Sequence, residues 1–285
     1  MEILVSTDWL ADNIDTHDLV VLDASSHLPA AGRDARAEYL KRHVLGARFL
    51  DLPSLKDETS DVPAALPSAE QFAHCLGSLG VKPSDQVVLY DDSRLRSSAR
   101  AFFIFTMFGF DNVALLDGGF EKWHSEGRPV EFGQPDIVQS GFRPVSNNHE
   151  NVRDKAAMLA NCGTGAEQVV DARDAARFTG EEVDTVHGLP GGHIPGARNL
   201  FFRDLLAADG SFEATDALHA EFAKAGLDLA RPITASCGSG MTASVILFAM
   251  QLLERQGSLY DGSWSEWGAD PATPKETGPM RPEAH

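Results

Sequence analysis

One cysteine lies in a setting that favours nucleophilic chemistry. Cys237 ends a β-leaning run and is followed by Gly238, Ser239 and Gly240, then by a long apolar segment typical of a helix. The glycines permit positive-φ backbone angles that turn successive amide N–H groups toward one point, and the helix predicted to begin near Thr242 adds its positive dipole end. We therefore expect this thiol to ionise more easily than a free cysteine, and we expect the loop to hold an anion.

The alternative for Cys237 is a purely structural role, as a small buried residue at the start of a core helix, because buried cysteine is common. The other two cysteines lack the glycine cradle. Cys75 lies in a helical pattern and is predicted to be core or groove lining, whereas Cys162 is predicted to be an exposed thiol in a Gly-rich loop. Three cysteines so far apart are too few for a disulfide framework or a zinc site. The sequence predicts no metal or organic cofactor.

The overall charge narrows the choice of partner. A formal net charge of −18 and a pI near 4.8 make a nucleic-acid backbone or an anionic membrane an unfavourable partner. An anionic substrate therefore needs locally placed arginines. The sequence has neither a signal-peptide pattern nor an apolar run approaching about 18 residues, which predicts a soluble, cytoplasmic protein.

Four sequence segments recur in the same order in the two halves of the chain. The pairs are residues 20–26 with 168–178, 43–48 with 193–198, 86–92 with the run before Cys237, and 115–123 with 259–267. The offsets are about 144 to 150 residues throughout, which indicates a duplicated domain.

Each half alternates β-rich runs with helical patterns, which predicts an α/β fold with a mostly parallel sheet flanked by helices. The predicted domains are residues 1–130 and 152–285, joined by a linker at 131–151 that lacks a strong period and carries Gly, Pro and Asn. Active loops of such folds lie beyond the carboxyl ends of strands, where Cys237 is placed. The repeat aligns Asp91 with Cys237, so the first domain is predicted to be catalytically inactive.

Four motifs resemble one known family. CGSGMTA at Cys237, DARDAARF at residues 171–178, GHIPGA at 192–197 and YDGSWSEWG at 260–268 are similar to the two-domain rhodanese superfamily, and within it to the 3-mercaptopyruvate sulfurtransferases. The resemblance implies two tandem rhodanese-like domains and transfer of sulfane sulfur from 3-mercaptopyruvate through a Cys237 persulfide. It implies that the persulfide is held by the loop residues Gly238, Ser239, Gly240, Met241 and Thr242.

The resemblance also bears on the choice of donor. Thiosulfate-preferring members resemble one another in basic residues at the two positions after the cysteine, and this chain has Gly238 and Ser239 there. Doubly charged thiosulfate gains from cations beside the sulfur, whereas mercaptopyruvate carries its carboxylate farther away. The expected partners are a small anionic sulfur donor and a thiol, cyanide or thioredoxin-like acceptor.

Arg177 matches the family's substrate arginine, whose fork suits a carboxylate. Its alternative role is a structural salt bridge with Asp174 or Glu181. A second family arginine falls on Val186, and the adjacent His187 or an arginine from elsewhere could substitute for it.

The family's proton relay is also altered. Mercaptopyruvate sulfurtransferases resemble one another in an acid and a histidine on the first domain, thought to relay protons through the loop serine. This chain has Pro53 and Ala64 at those positions, and neither residue can carry a proton. His193 in GHIPG recurs as His43 in the first half, which predicts a buried, hydrogen-bonded histidine rather than a base.

The cysteine loop is also compatible in outline with three other functions. A thiosulfate sulfurtransferase (rhodanese) and a non-enzymatic persulfide carrier would both use the same cysteine loop. A cysteine phosphatase needs an arginine six positions after the cysteine to hold phosphate, and that position is Ala243. Phosphatase activity is therefore not expected.

Overall fold

Two five-stranded parallel sheets form the framework of the fold. A computed structural model gives the positions of residues 1–144 and 149–280. The first sheet has the strand order β1-β6-β5-β2-β4 and the second has the order β10-β9-β11-β12-β8. Every strand pair in both sheets is parallel. Strands β3 and β7 pair antiparallel and form a separate two-stranded sheet. The predicted α/β class with mostly parallel sheets is confirmed.

The strands are short, as is usual where helices cover the sheet. Their bounds are β1 Leu4–Val5, β2 Leu19–Asp23, β3 His43–Val44, β4 Arg48–Phe49, β5 Gln86–Tyr90, β6 Val113–Leu116, β7 Val130–Glu131, β8 Val152–Arg153, β9 Gln168–Asp171, β10 Arg198–Asn199, β11 Ile233–Ser236 and β12 Ser258–Tyr260. The central strands are β5, which is mostly apolar and buried, and β11, which is fully buried although it contains Thr234 and Ser236; this burial fits strands covered on both faces.

Helices fill the connections between the parallel strands. Their bounds are α1 Thr7–Asn13, α2 Ala35–Lys41, α3 Ala69–Ser78, α4 Ser98–Met107, α5 Gly119–Ser125, α6 Lys155–Thr164, α7 Ala175–Thr179, α8 Thr215–Lys224, α9 Ala243–Leu252 and α10 Ser263–Trp267. Short 3₁₀ helices span Pro29–Ala31, Leu52–Ser54 and Phe202–Leu205. Within the described ranges, none of the helices has the length and apolar character needed to cross a bilayer.

The chain divides into two compact units. The N-terminal unit comprises Met1–Glu58, Leu66–His149 and Ala207–Phe212, and the C-terminal unit comprises Thr59–Ala65, Glu150–Leu206 and Glu213–His285. Each unit therefore contains one short segment from the other half of the sequence. The predicted linker, residues 131–151, includes residues 145–148, which lie outside the described residues.

The internal repeat is visible in the order of elements and in single hydrogen bonds. The succession β5-α4-β6-α5 in the first sheet matches β11-α9-β12-α10 in the second. The residue after β5, Asp91, accepts a hydrogen bond from the Phe120 amide at 3.0 Å, and the residue after β11, Cys237, accepts one from the Trp264 amide at 3.0 Å. The predicted equivalence of Asp91 and Cys237 is confirmed.

Helix α9 is part of the core. All residues from Ala243 to Met250 are buried, so the helix is enclosed on every side rather than amphipathic. It packs on β11, the strand that precedes the cysteine loop, and on β12, the strand that precedes α10. A fully enclosed helix fixes the position of its own first turn, and therefore of the loop that precedes it.

Candidate active site

The loop that holds Cys237 is fixed by helix α10. Cys237 follows β11 directly and is 1% exposed. Its amide donates to Ser263 Oγ at 3.2 Å, and its carbonyl accepts from the Trp264 amide at 3.0 Å. The next carbonyl, that of Gly238, accepts from the Ser265 amide at 2.8 Å. The first peptide units of the loop are thus tied down by one short helix.

The remaining amide groups of the loop are available to an anion. Among the described residues, none accepts a hydrogen bond from the amides of residues 238 to 242. Thr242, the N-cap residue of α9, does not cap the helix with its side chain. Unsatisfied amides at a helix N-terminus, together with the helix dipole, attract negative charge. This arrangement fits the expected cradle for a thiolate or persulfide.

The two glycines of the loop serve different purposes. Gly240 has a φ of 78°, as predicted, and Ser244 Oγ donates to its carbonyl at 2.9 Å. The expectation of a positive φ at Gly238 was wrong, because Gly238 is not among the positive-φ glycines. A Cβ at position 238 would instead lie 2.3 Å from Cε1 of His187. Gly238 is needed because the imidazole occupies the space of a side chain.

Asp184 is a buried carboxylate that holds this imidazole. Its side chain is fully buried, and its Oδ2 lies 3.0 Å from His187 Nδ1. Its Oδ1 accepts from the amides of Val186 and His187 at 3.2 and 3.3 Å. The guanidinium groups of Arg173 and Arg177 lie 3.7 and 3.8 Å from the same carboxylate.

The charge of Asp184 is maintained despite its burial. Burial by itself would raise the pKa of the carboxyl, but the hydrogen bond to His187 and the charges of His187, Arg177 and Arg173 outweigh burial. The pKa of Asp184 is therefore below its usual value. A buried anion that contacts three basic side chains can fix all three relative to one another.

Arg173 is the most deeply buried of these basic residues. Its side chain is 1% exposed, and its Nη2 donates to Asp171 Oδ2 and to the Gly192 carbonyl, both at 2.6 Å. The guanidinium lies 4.7 Å from the ring centroid of Trp264, a cation–π distance. Its Nη1 is a buried donor without a hydrogen-bond partner among the described residues.

Arg173 also places positive charge near the nucleophile. Burial lowers the pKa of its guanidinium, but Asp171, Asp184 and the thiolate of Cys237 raise it further than burial lowers it. A charged Arg173 therefore lies within electrostatic range of Cys237. In the sequence, Arg173 is part of the DARDAARF motif but is not among the predicted site residues.

Arg177 lies on α7 and is partly exposed. Its Nε donates to Asp174 Oδ2 at 2.6 Å, and Asp174 Oδ1 caps the Arg177 amide at 3.0 Å. The salt bridge that was the alternative for this residue is therefore present. It uses Nε, whereas Nη1 lies 3.8 Å from Asp184 Oδ1, beyond hydrogen-bond distance, so the Nη groups can still donate to a carboxylate. The two roles are compatible in this geometry.

The other positions of the predicted site are near the surface or in the loop. Ser239 and Met241 are partly exposed, whereas Thr242 is buried at the start of α9. Val186, at the position of the family's second arginine, is 40% exposed. Its amide, rather than its side chain, contacts the Asp184 carboxylate.

The two histidines of the repeated motif are structural, as predicted. His193 is buried, its Nδ1 lies 2.9 Å from the Phe178 carbonyl, and its ring stacks on Phe178 at 3.9 Å. His43 is buried in the same way, with Nδ1 2.8 Å from the Tyr39 carbonyl and its ring stacked on Tyr39 at 4.1 Å. Each ring anchors a turn in its own unit.

The loop after β5 binds its own carboxylate. Asp91 is buried, and its two oxygens accept from the amides of Ser93 at 2.8 Å and Ser98 at 2.9 Å. The amides that precede α4 are therefore partly satisfied by a side chain of the same loop. This unit has neither a thiol nor an open anion cradle at the equivalent position, which accounts for its predicted inactivity.

The remaining cysteines are in less reactive settings. Cys75 lies on α3 and lines a cavity of about 470 Å³ with Tyr39 and His74, and burial raises its pKa to about 12. Cys162 is exposed as predicted, but it lies in helix α6 rather than in a loop, because the helix continues through Gly163 to a left-handed cap at Gly165. Burial raises the pKa of Cys162 as well.

Three residues of the site, Asp184, Arg173 and Ser263, carry no clear signal in the sequence. Asp184 and Arg173 are polar residues in ordinary surroundings in sequence, and only their burial distinguishes them. Ser263, whose Oγ accepts a hydrogen bond from the Cys237 amide, lies in the YDGSW motif. Its backbone φ is positive, at 49°. A strained non-glycine residue beside a nucleophile is a frequent feature of functional sites. Among the described residues, no group of three or more His, Cys, Asp or Glu side chains could hold a metal ion.

Comparison with known proteins agrees with this architecture. The model of the rhodanese-like domain matches residues 6–126 and 154–270. The 3-mercaptopyruvate sulfurtransferase of Escherichia coli (strain K12) is 38% identical over 274 residues, which cover 95% of this chain and 97% of that protein. The thiosulfate sulfurtransferase of Cricetulus griseus is 38% identical over 272 residues, which cover 93% of this chain and 91% of that protein.

Solved structures show the same fold. The crystal structure of SseA from Escherichia coli, a 3-mercaptopyruvate sulfotransferase, aligns with a TM-score of 0.84 and 36% identity over 93% of this chain and 99% of that one. Tum1 from Saccharomyces cerevisiae aligns with a TM-score of 0.86 and 27% identity, covering 95% of this chain and 97% of that one. The chain therefore belongs to the rhodanese family, as a sulfurtransferase in which the rhodanese-like domain occurs twice.

Proposed function

We propose that this sulfurtransferase moves sulfane sulfur from 3-mercaptopyruvate to a thiol or cyanide acceptor through a persulfide on Cys237. The observation that carries the proposal is the position of Cys237 at the start of a loop in which the amides of residues 238 to 242 have no hydrogen-bond acceptor among the described residues. The name of the Escherichia coli relative supports the donor.

The proposed reaction begins with the Cys237 thiolate attacking the sulfur of the donor. A new S–S bond forms, the C–S bond of the donor breaks, and the electron pair stays on the pyruvate fragment. The amides of Gly238, Ser239, Gly240, Met241 and Thr242 stabilise the terminal sulfur of the persulfide. An acceptor thiol or cyanide then attacks that sulfur and regenerates the thiolate.

The choice of mercaptopyruvate rests on the charges around the loop. Neither Gly238 nor Ser239 supplies a cation beside the reacting sulfur. Arg177 lies partly exposed on α7, its bridge to Asp174 uses Nε, and its fork suits the donor carboxylate.

Thiosulfate is the second candidate donor. One relative is named thiosulfate sulfurtransferase. In addition, Cys237 lies close enough to Arg173 to raise the pKa of the Arg173 guanidinium. A buried guanidinium beside the sulfur would favour a doubly charged donor more than a singly charged one. Binding of mercaptopyruvate would therefore depend mainly on Arg177, and binding of thiosulfate mainly on Arg173.

A comparison of donors tests the proposal. The purified chain is assayed with mercaptopyruvate, by pyruvate formation, and with thiosulfate, by sulfite formation, with cyanide as the acceptor in both assays. We expect a higher kcat/KM for mercaptopyruvate and a mass increase of one sulfur on the peptide that contains Cys237. A higher kcat/KM for thiosulfate would transfer the assignment to the second candidate, and stable sulfur on another cysteine would contradict the mechanism.

A further inference from the structure

The proposed reaction needs a proton beside the cysteine loop. When the C–S bond of mercaptopyruvate breaks, the electron pair is left on an enolate of pyruvate, which is a strong base and a poor leaving group until it is protonated. A positioned acid typically accelerates such a step by about 10²- to 10⁴-fold. Pro53 and Ala64 carry no proton, so the acid must come from another residue.

His187 is a titratable side chain in contact with the loop. Its Cε1 lies 2.3 Å from the position that a Cβ on residue 238 would take, and both ring nitrogens lie 3.1 Å from that position. The imidazole thus packs against the backbone one residue after Cys237. Its side chain is 16% exposed, so the ring is neither sealed in the core nor free in solvent.

The orientation of the ring is fixed at Nδ1. Asp184 Oδ2 lies 3.0 Å from His187 Nδ1, and Asp184 Oδ1 accepts a hydrogen bond from the His187 amide at 3.3 Å. A carboxylate on Nδ1 makes that nitrogen the donor and leaves Nε2 for chemistry, the same division of roles as in a nucleophile–histidine–carboxylate site. Arg173 Nη1 and Arg177 Nη1 lie 3.7 and 3.8 Å from the Asp184 carboxylate that holds the ring.

We propose that His187 is the catalytic acid–base residue of the sulfur transfer and that Asp184 is the residue that positions it. This inference rests on the function proposed above. It assigns the dyad to the same unit as the nucleophile, so that the thiol, the acid and the anion cradle are held by one sheet and its loops.

The proton balance of the first half-reaction follows. The Cys237 thiolate forms the S–S bond, the C–S bond breaks toward carbon, and His187 Nε2 gives its proton to the enolate, which leaves as pyruvate. The neutral imidazole then takes the proton of the persulfide S–H and leaves the persulfide anion in the amide cradle. The second half-reaction, in which cyanide removes the outer sulfur, expels the Cys237 thiolate and needs no proton from His187.

The experiment separates the two half-reactions. Pyruvate release is measured in a single turnover at saturating mercaptopyruvate, and discharge is measured by adding cyanide to enzyme that has been fully loaded by long incubation. The variants are His187→Gln, Asp184→Asn and, as a matched control, His219→Gln on the exposed face of α8. A fourth variant, His187→Gly, is assayed with and without added imidazole.

We expect His187→Gln to slow pyruvate release by about 100-fold or more and to leave discharge by cyanide unchanged. Asp184→Asn should slow the same half-reaction less, His219→Gln should change neither, and imidazole should restore pyruvate release in His187→Gly. Equal losses in both half-reactions, or no loss in either, would overturn the role of His187. A wild-type chain that forms neither pyruvate nor a Cys237 persulfide would instead overturn the proposed function, and the inference with it.

Discussion

The imidazole of His187 fills the space in which residue 238 would carry a side chain. An added Cβ on Gly238 would lie 2.3 Å from His187 Cε1, a separation that real Cβ atoms do not show. Asp184 holds the same ring at Nδ1. The residue after the nucleophile and the segment that follows α7 are therefore matched to each other, and a change at either position must disturb the other.

Gly238→Ala tests this match. The added methyl group must displace the His187 ring or the loop, so we expect a loss of about 1–3 kcal/mol in the free energy of unfolding, as for other overpacked sites. Pyruvate formation should fall with it. The control is Gly163→Ala, at a helical position where an added Cβ meets no atom within 4 Å. Chemical denaturation of both variants gives the comparison, and equal stability would show that the ring moves without cost.

Cys237→Ser should abolish sulfur transfer, because a hydroxyl neither ionises near neutral pH nor holds a sulfane sulfur. Cys75→Ser and Cys162→Ser should retain most activity, since burial raises the pKa of both thiols. Mass spectrometry after treatment with mercaptopyruvate locates the added sulfur. Loss of activity in either control variant, with the fold intact, would contradict the assignment of the nucleophile.

Arg177→Ala should raise KM for mercaptopyruvate and cost about 2–4 kcal/mol in kcat/KM, as for the loss of a charged partner of the substrate. Arg177→Lys keeps the charge and removes the fork, so its loss should be smaller. Steady-state kinetics with both variants separates the charge from the geometry. Unchanged kinetics in a folded Arg177→Ala variant would leave only the salt bridge with Asp174.

Ser239→Ala tests whether the loop hydroxyl moves protons. A serine hydroxyl is a poor acid or base at neutral pH, and the amide cradle that holds the thiolate does not depend on it. We expect a loss of less than about tenfold in rate, with the acid limb of the pH–rate profile for mercaptopyruvate unmoved. A loss above about a thousandfold would assign Ser239 to a proton relay.

Asp23→Asn should change how the stability depends on pH. Burial raises the pKa of Asp23 from 3.8 to about 6, although hydrogen bonds from Ser25 oppose the shift. The folded chain therefore holds a proton that the unfolded chain has lost between about pH 4 and pH 6, and this carboxyl makes the fold less stable as pH rises through that window.

The expected size of the Asp23 effect follows from the shift. Two pKa units correspond to about 3 kcal/mol, so the variant should gain up to that amount relative to the wild type between pH 4 and pH 7. Urea denaturation of both proteins across this range measures the difference. A difference that does not vary with pH would contradict the raised pKa.

The pattern of the sequence was enough to predict the fold class, which is confirmed, and to single out Cys237 as the proposed nucleophile. The apolar run of β11, the glycines after Cys237 and the long apolar helix are local signals, and a parallel sheet places such a loop at the carboxyl end of its strand. The repeat made Asp91 the counterpart of Cys237, and the matching hydrogen bonds to Phe120 and Trp264 agree. The structural roles of His43 and His193 also followed from their recurrence.

The sequence was misleading where the same residue type can be required for more than one structural reason. A glycine can be required by its own backbone angle or by a neighbour that needs its space. Gly240 is of the first kind and Gly238 is of the second. Cys162 was assigned to a loop because glycines follow it, but glycines near a helix end also serve as caps.

The chain by itself determined a duplicated α/β fold, and it singled out a cysteine in a glycine loop and the arginine of α7 as the proposed site, because each of these signals depends on residues close together in sequence. Only the tertiary structure decided what surrounds that cysteine. Asp184 is in contact with His187, Arg173 and Arg177, and His187 in turn reaches Gly238 from about fifty residues away. Burial turns an ordinary aspartate into the fixed centre of three basic side chains, and burial is a property of packing that sequence spacing does not encode.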